Sequence, residues 1–250
     1  MKLKELLQGC DYIDLVTGKD LRVTSNKKAV SSEQLAVSRN ELTANRYTLT
    51  ANSSLDIDIS GVAYDSRKVK DGYLFVAMKG ERHDGHDFIR EAIKRGAIVI
   101  VHEKANPPES PHTPLWKRGA EGDFKGGRGG INNPSLIFIR VKNSRKALAC
   151  IANNFYGMPS ESLTLIGITG TNGKTTTTYI LKSILESWGK DVGLIGTIQY
   201  MIKNRVYPAL YTTPESLDFQ SLLKDMFLSG CTHVISEVSS HALAQYRVDR

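Results

Sequence analysis

The segment from Leu163 to Gly189 constrains the fold more than any other part of the chain. It begins with a nearly continuous apolar run, Leu163 to Thr169, which is typical of a parallel strand covered on both faces. A glycine-rich turn follows, and Thr175 to Trp188 is predicted to be a helix that ends at Gly189. The helix residues expected to face inward are Ile180, Leu181, Ile184 and Leu185. The segment therefore predicts one β-α unit of an α/β domain.

The turn in this unit, Gly170 to Thr175, has the sequence GTNGKT. Between a strand and a helix, its backbone N–H groups can point at a phosphate, and the helix N-terminus adds its positive dipole end. Lys174 supplies a mobile charge, and the hydroxyl of Thr175 can ligate Mg²⁺. The full P-loop pattern has a glycine at the position of Ile168, so this is a shortened variant. The alternative is an ordinary tight turn without a ligand.

The elements after this unit continue the alternation. Strands are predicted over Asp191 to Ile198 and Thr232 to Ser236, with a helix over Ser216 to Leu228 between them. This succession predicts a doubly wound, parallel-sheet α/β domain over residues 158–250.

The first part of the chain also alternates strands and helices. Helices are predicted over Asp87 to Arg95 and Asn143 to Tyr156, and Gly157 then breaks the chain. We therefore place a domain boundary at 157 and a smaller α/β module over 1–157. Its predicted strands are Ile57–Ile59, Gly61–Ala63, Tyr73–Ala77, Ala97–Val101 and Leu136–Val141.

Two segments of this module have a different composition. Residues 24–52 repeat short triplets every seven residues, but with one firmly apolar position per heptad, whereas a coiled coil needs two. Residues 106–134 are dense in Gly and Pro. Their GGRGG allows an RNA-binding interpretation, but a single such unit is weak evidence. We interpret both segments as insertions.

Composition excludes several classes of protein. The 250 residues lack any run of about 18 apolar side chains, which excludes an integral membrane protein. No signal peptide is recognisable, which favours the cytoplasm. The net charge of +7 suits nucleic acid, an anionic surface or a phosphorylated ligand equally well. Three scattered cysteines, Cys10, Cys150 and Cys231, are expected to be reduced thiols.

Glu237 follows the predicted strand Thr232 to Ser236. Ligands of parallel sheets bind at the carboxyl ends of strands, so Glu237 can hold Mg²⁺ beside the glycine-rich turn. His241 stands four residues later, but the spacing is not that of a zinc protease, and its residue type alone favours a structural role. Similarly, Tyr211 to Pro214 resembles a helix cap, and Asp65 to Arg67 and Gly80 to Gly85 resemble polar loops.

Taken in order, these motifs resemble the Mur ligases, ATP-dependent amide-bond ligases of peptidoglycan synthesis. GTNGKT is typical of the whole superfamily, whereas the other motifs are typical of the member that adds the third residue of the peptide. The motifs are DSR at Asp65–Arg67, LFVAMKG at Leu74–Gly80, HDGHDFI at His83–Ile89, GITGTNGKTTT at Gly167–Thr177, GT at Gly196–Thr197, TTP at Thr212–Pro214 and EVSSHAL at Glu237–Leu243.

The resemblance implies roles for individual residues. The ATP phosphates would be held by Gly170, Thr171, Asn172, Gly173, Lys174, Thr175 and Thr176, with Lys174, Glu237 and His241 catalytic. Magnesium would be held by Thr175, Glu237 and His241. The UDP-muramoyl-peptide would be held by Tyr64, Ser66, Glu81, Arg82, His83, Tyr211, Thr212, Thr213, Ser239, Gln245 and Arg247.

The implied reaction adds a diamino acid, meso-diaminopimelate or L-lysine, to UDP-N-acetylmuramoyl-L-alanyl-D-glutamate through an acyl phosphate. The implied enzyme is a cytoplasmic monomer that binds neither nucleic acid nor a membrane. Because the family continues beyond the position of Arg250 with the rest of its ATPase domain and a C-terminal domain, we expect a fragment that is inactive alone. A sibling ligase and a fragment that only binds nucleotide remain alternatives.

Overall fold

The computed structural model of the chain describes residues 1–17, 55–80, 83–104 and 136–249, with the backbone alone for 14–17. The segments interpreted as insertions, 24–52 and 106–134, lie outside these ranges, as do Glu81 and Arg82. Within the described ranges, no helix combines the length and the apolar character needed to cross a membrane.

The first half of the chain forms a five-stranded sheet of order β1-β5-β4-β3-β2. The strands β2 to β5 run parallel, and β1 pairs antiparallel with β5. Its strands and helices are α1 (Leu3–Leu6), β1 (Asp14–Thr17), β2 (Gly61–Ala63), β3 (Tyr73–Val76), α2 (Ile89–Lys94), β4 (Ala97–His102), β5 (Ile137–Arg140) and α3 (Ser144–Phe155).

This sheet is buried on both faces. Because successive side chains of a strand point to opposite faces, Leu74 and Val76 pack with Leu6 and Leu148 on one side. Phe75, between them, packs on the other side in the cluster that contains Ile89, Ile100 and Phe138. The second half of the chain contributes Leu217 to the first of these clusters.

The second half forms another five-stranded sheet, of order β6-β10-β7-β8-β9. The strands β6, β10 and β7 are parallel, whereas β8 and β9 form an antiparallel hairpin at the edge. The elements are β6 (Thr164–Ile168), α4 (Lys174–Ser187), β7 (Val192–Ile195), β8 (Gln199–Ile202), β9 (Arg205–Pro208), α5 (Ser216–Leu228), β10 (His233–Glu237) and α6 (Ser240–Ala244).

The α/β class is thus confirmed. The two sheets contact each other mainly through α3 and α5. The domain boundary at 157 stays a prediction, although it falls between the two sheets.

Four predictions from the sequence are wrong in whole or in part. Segment β6 packs Leu165 and Ile166 against different core clusters, but it is an edge strand, and Thr164 and Gly167 are exposed.

In α4, Leu185 is buried and Leu181 is half-buried, as predicted, whereas Ile180 and Ile184 are 57% and 58% exposed, because the buried face includes Thr178 and Lys182. The segment Ile57–Ile59 is no strand, and only Asp58 pairs, in an isolated bridge with Lys2.

The fourth correction concerns the cysteines. Cys10 and Cys150 are joined by a disulfide across 140 residues of sequence, whereas Cys231 is a free, buried thiol. The bridge connects the end of the α1 turn to α3, two elements that already share a core. Burial raises the pKa of the Cys231 thiol above its usual value, which favours the inert, protonated form.

Candidate active site

The glycine-rich turn begins the helix α4. Gly173 is the residue before α4 and has φ +79°, and Gly170 has φ +148°, conformations that L side chains rarely adopt. A Cβ added at Gly173 would meet no atom within 4 Å, so the backbone conformation and not crowding requires glycine there. The turn residues from Gly170 to Gly173 are exposed, and Thr176 is also exposed. The turn is thus open to solvent, and its binding of a phosphate stays a prediction.

Lys174 is the first residue of α4, and its Nζ donates a hydrogen bond to the carbonyl oxygen of Gly170 across 2.8 Å. The ammonium group therefore folds back over the turn. A phosphate seated on the turn would offer this group a charged acceptor in place of a neutral carbonyl, and hydrogen bonds between charged partners are the stronger ones.

Glu237 is the last residue of β10 and is fully buried. Because β10 lies between β6 and β7 and runs parallel to both, the segments that follow those strands meet Glu237 at the carboxyl ends of the strands. Its Oε2 accepts from the hydroxyls of Thr175 and Thr197, both at 3.0 Å, and its Oε1 accepts from the backbone N–H of Thr197 at 3.0 Å. This buried carboxylate is therefore well satisfied by hydrogen bonds.

Gly196 leaves the space that this carboxylate occupies. A Cβ added there would lie 2.6 Å from Oε1 of Glu237, a distance that real Cβ atoms essentially never show. Gly196–Thr197 is one of the sequence motifs, but the sequence alone predicts no contact for Thr197. Only the fold shows that Thr197 is a partner of Glu237, 40 residues away in sequence.

The loop before α5 reaches the same residue from another side. The hydroxyl of Thr213 donates to the backbone oxygen of Glu237 at 2.8 Å, and Oγ1 of Thr213 accepts from the N–H of Ser239 at 3.3 Å. The hydroxyls of Thr197 and Thr212 are 3.1 Å apart. Tyr211 is fixed by Tyr200, whose hydroxyl donates to the carbonyl oxygen of Tyr211 at 2.6 Å.

Four further predicted residues lie around α6, with Ser239 before it, His241 in it, and Gln245 and Arg247 after it. The Ser239 hydroxyl caps α6 by accepting from the N–H of Ala242. The Nε2 of Gln245 lies 2.6 Å from Nε2 of His241, and Oε1 of Gln245 accepts from Arg247 at 2.7 and 3.1 Å. Arg247 also donates to the carbonyl oxygen of Thr213 at 3.1 Å. The structure therefore brings Ser239, Gln245 and Arg247 to the loop of Thr212 and Thr213.

The donor set at Glu237 fits magnesium, which prefers oxygen ligands. The hydroxyl of Thr175 and the carboxylate of Glu237 are adjacent, and a hydroxyl that donates to a carboxylate keeps lone pairs for a cation. No three His, Cys, Asp or Glu side chains cluster as a metal site among the residues that the structure describes. A role of His241 in metal binding stays a prediction.

A cavity of about 510 Å³ lies where the two halves of the chain meet. Its lining includes the predicted residues Tyr64, Ser66 and His83 from the first half. It also includes Arg145 of α3 and Glu215, the residue before α5. The latter two were not predicted from the sequence, because neither lies in a recognisable motif.

The loop that carries His83 is fixed by a buried histidine. His86 is 2% exposed, its Nδ1 lies 2.5 Å from Oδ1 of Asp84, and its Nε2 accepts from the backbone N–H of Glu103 at 3.1 Å. Burial opposes the charge of Asp84, but the N–H of His86, the ammonium of Lys104 and the His86 ring together hold the pKa of Asp84 well below its usual range. Asp84 and His86 thus anchor this side of the cavity.

Tyr64 connects the cavity to the second half of the chain. Its hydroxyl donates to Oδ2 of Asp218 on α5 at 2.5 Å. Burial of the phenol, together with the hydrogen bond to Asp218, raises the pKa of Tyr64 well above its usual value. Tyr64 therefore stays a neutral donor at physiological pH.

Comparison with protein-family models gives two matches. Residues 58–156 match the model described as Mur ligase family, catalytic domain, and residues 168–250 match the Mur ligase middle domain. The chain belongs to the Mur ligase family. Both matches agree with the resemblance inferred from GTNGKT, TTP and EVSSHAL.

Three curated relatives of this Mur ligase chain are UDP-N-acetylmuramoyl-L-alanyl-D-glutamate–2,6-diaminopimelate ligases. The protein of Caldanaerobacter subterraneus is 47% identical over 78% of the chain and 35% of the relative. The protein of Clostridium tetani is 46% identical over 78% of the chain and 36% of the relative. Ligase 2 of Clostridium acetobutylicum is 36% identical over 100% of the chain and 40% of the relative. The chain thus spans little more than a third of the length of these Mur ligases.

A solved structure of a UDP-N-acetylmuramoyl-L-alanyl-D-glutamate–2,6-diaminopimelate ligase has a similar fold. The match covers 76% of this Mur ligase chain and 34% of the chain in the solved structure, with a TM-score of 0.55 and 23% sequence identity. At this identity the likeness supports the fold alone.

Proposed function

We propose that this chain carries the ATP site and the acceptor site of a ligase that joins 2,6-diaminopimelate to UDP-N-acetylmuramoyl-L-alanyl-D-glutamate. One observation carries the proposal. Glu237 bonds the glycine-rich turn through its side chain, by way of Thr175, and bonds the TTP loop through its backbone oxygen, by way of Thr213. A phosphate donor on the turn and a peptide at the loop would thus lie on either side of one residue.

The ATP phosphates would occupy the turn from Gly170 to Thr176. The backbone N–H groups at the start of α4 and the ammonium of Lys174 would neutralise the negative charge of the β- and γ-phosphates. Thr175 and Glu237 would hold Mg²⁺, which when bound offsets the charge on the phosphate oxygens.

The nucleotide end of the acceptor would occupy the cavity lined by Tyr64, Ser66 and His83. Its peptide end would lie at Tyr211, Thr212 and Thr213, beside Ser239, Gln245 and Arg247. Arg247 is suited to a carboxylate of the dipeptide, because a guanidinium can bind a carboxylate with two parallel hydrogen bonds. Glu81 and Arg82 stay predictions for the nucleotide end.

The proposed chemistry has two steps. An oxygen of the D-glutamate side-chain carboxylate bonds to the γ-phosphorus of ATP, the bond to the bridging oxygen breaks, and ADP leaves. The amine of the diamino acid then attacks the carbonyl carbon of the acyl phosphate, and phosphate leaves with its bonding electrons while the amine loses a proton. In both steps the protein holds the reacting atoms in line and neutralises phosphate charge, which is the role of Lys174.

The identity of the diamino acid rests on the names of the relatives alone. We further propose that the enzyme acts as a monomer in the cytoplasm, where ATP is available. Neither nucleic acid nor a membrane has a part in this proposal.

The test is calorimetric titration of the full chain with Mg-ATP and with UDP-N-acetylmuramoyl-L-alanyl-D-glutamate, each alone and in the presence of the other at saturation. The proposal predicts that each ligand binds once and that neither displaces the other. Competition between the two ligands for one site, or the failure of either to bind, would contradict it. Binding of RNA in place of both would favour the nucleic-acid interpretation of GGRGG.

A further inference from the structure

Glu215 stands between two arginines from distant parts of the chain. It precedes α5 directly, and its side chain is 13% exposed. Both of its oxygens accept from Nη1 of Arg145, at 3.3 and 3.2 Å. Its Oε2 also lies 3.4 Å from Nε of Arg247. One carboxylate thus offsets two guanidinium groups, each with 19% of its side chain exposed.

The two arginines belong to different ends of the proposed acceptor site. Arg145 lies on α3, lines the cavity, and donates to the carbonyl oxygen of Lys79 at 3.3 Å. Arg247 follows α6 and holds the loop before α5 through the carbonyl oxygen of Thr213. Glu215 is therefore a contact that joins the nucleotide cavity to the peptide loop.

The contact of Glu215 with the two arginines resists displacement because its groups are charged and largely buried. Two guanidinium groups from distant parts of the chain converge on one carboxylate, and hydrogen bonds in which both partners are charged are the stronger ones. Burial strengthens the charge pairs, and loss of the carboxylate would leave two largely buried cations without this partner. A second bond across the same boundary, from Tyr64 to Asp218 one turn further along α5, limits rotation of the helix.

We propose that Glu215 is a positioning residue that sets the spacing between the nucleotide cavity and the peptide loop. This inference rests on the proposed function, because the ligand that uses the spacing is the UDP-linked muramoyl-dipeptide. Such a ligand has a nucleotide at one end and a dipeptide carboxylate at the other. Binding at one end raises the effective concentration of the other end only when the two sites are held at the matching distance.

The prediction is a selective loss of affinity. In Glu215→Gln, the affinity for UDP-N-acetylmuramoyl-L-alanyl-D-glutamate should fall by about tenfold or more, because the two ends no longer act together. The affinity for UDP alone should change by less than about twofold, since UDP occupies the cavity without reaching Arg247 and Arg145 keeps its bond to Lys79.

The experiment is titration calorimetry of both ligands against the full chain, with thermal unfolding of every variant. Asp225→Asn is the matched control, because it removes an exposed charge from the same helix and should alter neither affinity. Glu215→Asp keeps the charge but shortens the side chain, so it should show a smaller loss with the same selectivity. This variant decides the test if Glu215→Gln does not fold.

The outcomes separate the inference from the proposed function. Wild-type chain that binds neither ligand contradicts the proposed function, and the inference with it. If the wild-type chain binds both ligands, two results contradict the inference alone. Either the Glu215 variants lose affinity equally for both ligands, or they lose affinity for neither. A loss confined to the spanning ligand supports it, because a general structural defect would weaken both.

Discussion

The hydroxyl of Thr175 donates to Oε2 of Glu237 across 3.0 Å, which joins the first turn of α4 to the end of β10. Two segments 62 residues apart in sequence are thereby fixed at the same sheet edge. A hydroxyl and a carboxylate placed side by side in advance need little reorganisation to receive a cation and the phosphates that it accompanies. The fold itself thus brings the two candidate magnesium ligands together.

Replacement of Gly196 tests this arrangement. In Gly196→Ala, the new Cβ would lie 2.6 Å from Oε1 of Glu237, so the carboxylate must move and lose hydrogen bonds to Thr197. We expect a loss of about 1–3 kcal/mol in the free energy of unfolding, together with weaker binding of Mg-ATP. Denaturant unfolding and calorimetry measure the two effects.

Gly167→Ala is the matched control for Gly196→Ala. Its added Cβ would lie 3.4 Å from Cγ2 of Val238, an ordinary contact. Equal behaviour of the two variants would show that the space at Gly196 is not reserved for Glu237.

The raised pKa of Tyr64 predicts a stability change at alkaline pH. The unfolded phenol titrates near pH 10, whereas the folded phenol keeps its proton to a higher pH. Its contribution to stability is therefore complete below about pH 10 and is lost as the pH rises beyond that value. Tyr64→Phe should lower stability by about 1–2 kcal/mol at pH 7 and should show a shallower decline above pH 10.

Unfolding by denaturant at pH 7, 9 and 10.5 would measure this effect. Tyr207→Phe, at an exposed position on β9, is the control and should follow the wild type. A wild-type decline that persists unchanged in Tyr64→Phe would contradict the assignment.

The lowered pKa of Asp84 predicts a loss of stability in acid, the opposite pH dependence to that of Tyr64. The pKa of Asp84 in the folded protein lies below the usual value of about 4. The contribution of its carboxylate to stability is therefore present above pH 4 and is lost as the pH falls. Asp84→Asn should make stability less sensitive to acid below pH 4. It should also weaken UDP binding at neutral pH, because the loop of His83 loses its anchor at His86.

Acid unfolding and UDP titration together test the role of Asp84. Asp87→Asn removes an exposed carboxylate from the short 3₁₀ helix Gly85–Phe88, which Asp84 caps, and serves as the control. If both variants bound UDP as the wild type does, the Asp84–His86 pair would have no part in shaping the cavity.

Local pattern predicted much of the fold. The helix α5 has the predicted bounds, Ser216–Leu228, because its apolar period, Pro214 before it and Gly230 after it all agree. The inward face of α4 was predicted only in part, since Leu185 is buried but Ile180 is exposed, and Lys182 is buried as the ion-pair partner of Glu186. Side-chain type alone does not show that a lysine can be buried in this way.

The hairpin of β8 and β9 was also missed. Its strands are joined by Lys203 and Asn204, and Lys203 adopts a positive φ of 53° that is uncommon outside Gly, Asn and Asp. At the candidate site, motifs located the glycine-rich turn and Glu237. They could not predict the contacts of Thr197, Glu215 or His86, because the partners of these residues lie far away in sequence and meet them only in the fold.

The most direct test of two separate nucleotide sites is a comparison of Lys174→Met and Ser66→Ala by calorimetry with Mg-ATP and the UDP-muramoyl-dipeptide. Lys190→Met, just beyond the C-terminal end of α4, controls for loss of charge. We predict that Lys174→Met weakens ATP binding by about tenfold or more and leaves the dipeptide ligand unaffected, and that Ser66→Ala does the reverse. A folded Lys174→Met variant that lost binding of both ligands, or of neither ligand, would contradict the account.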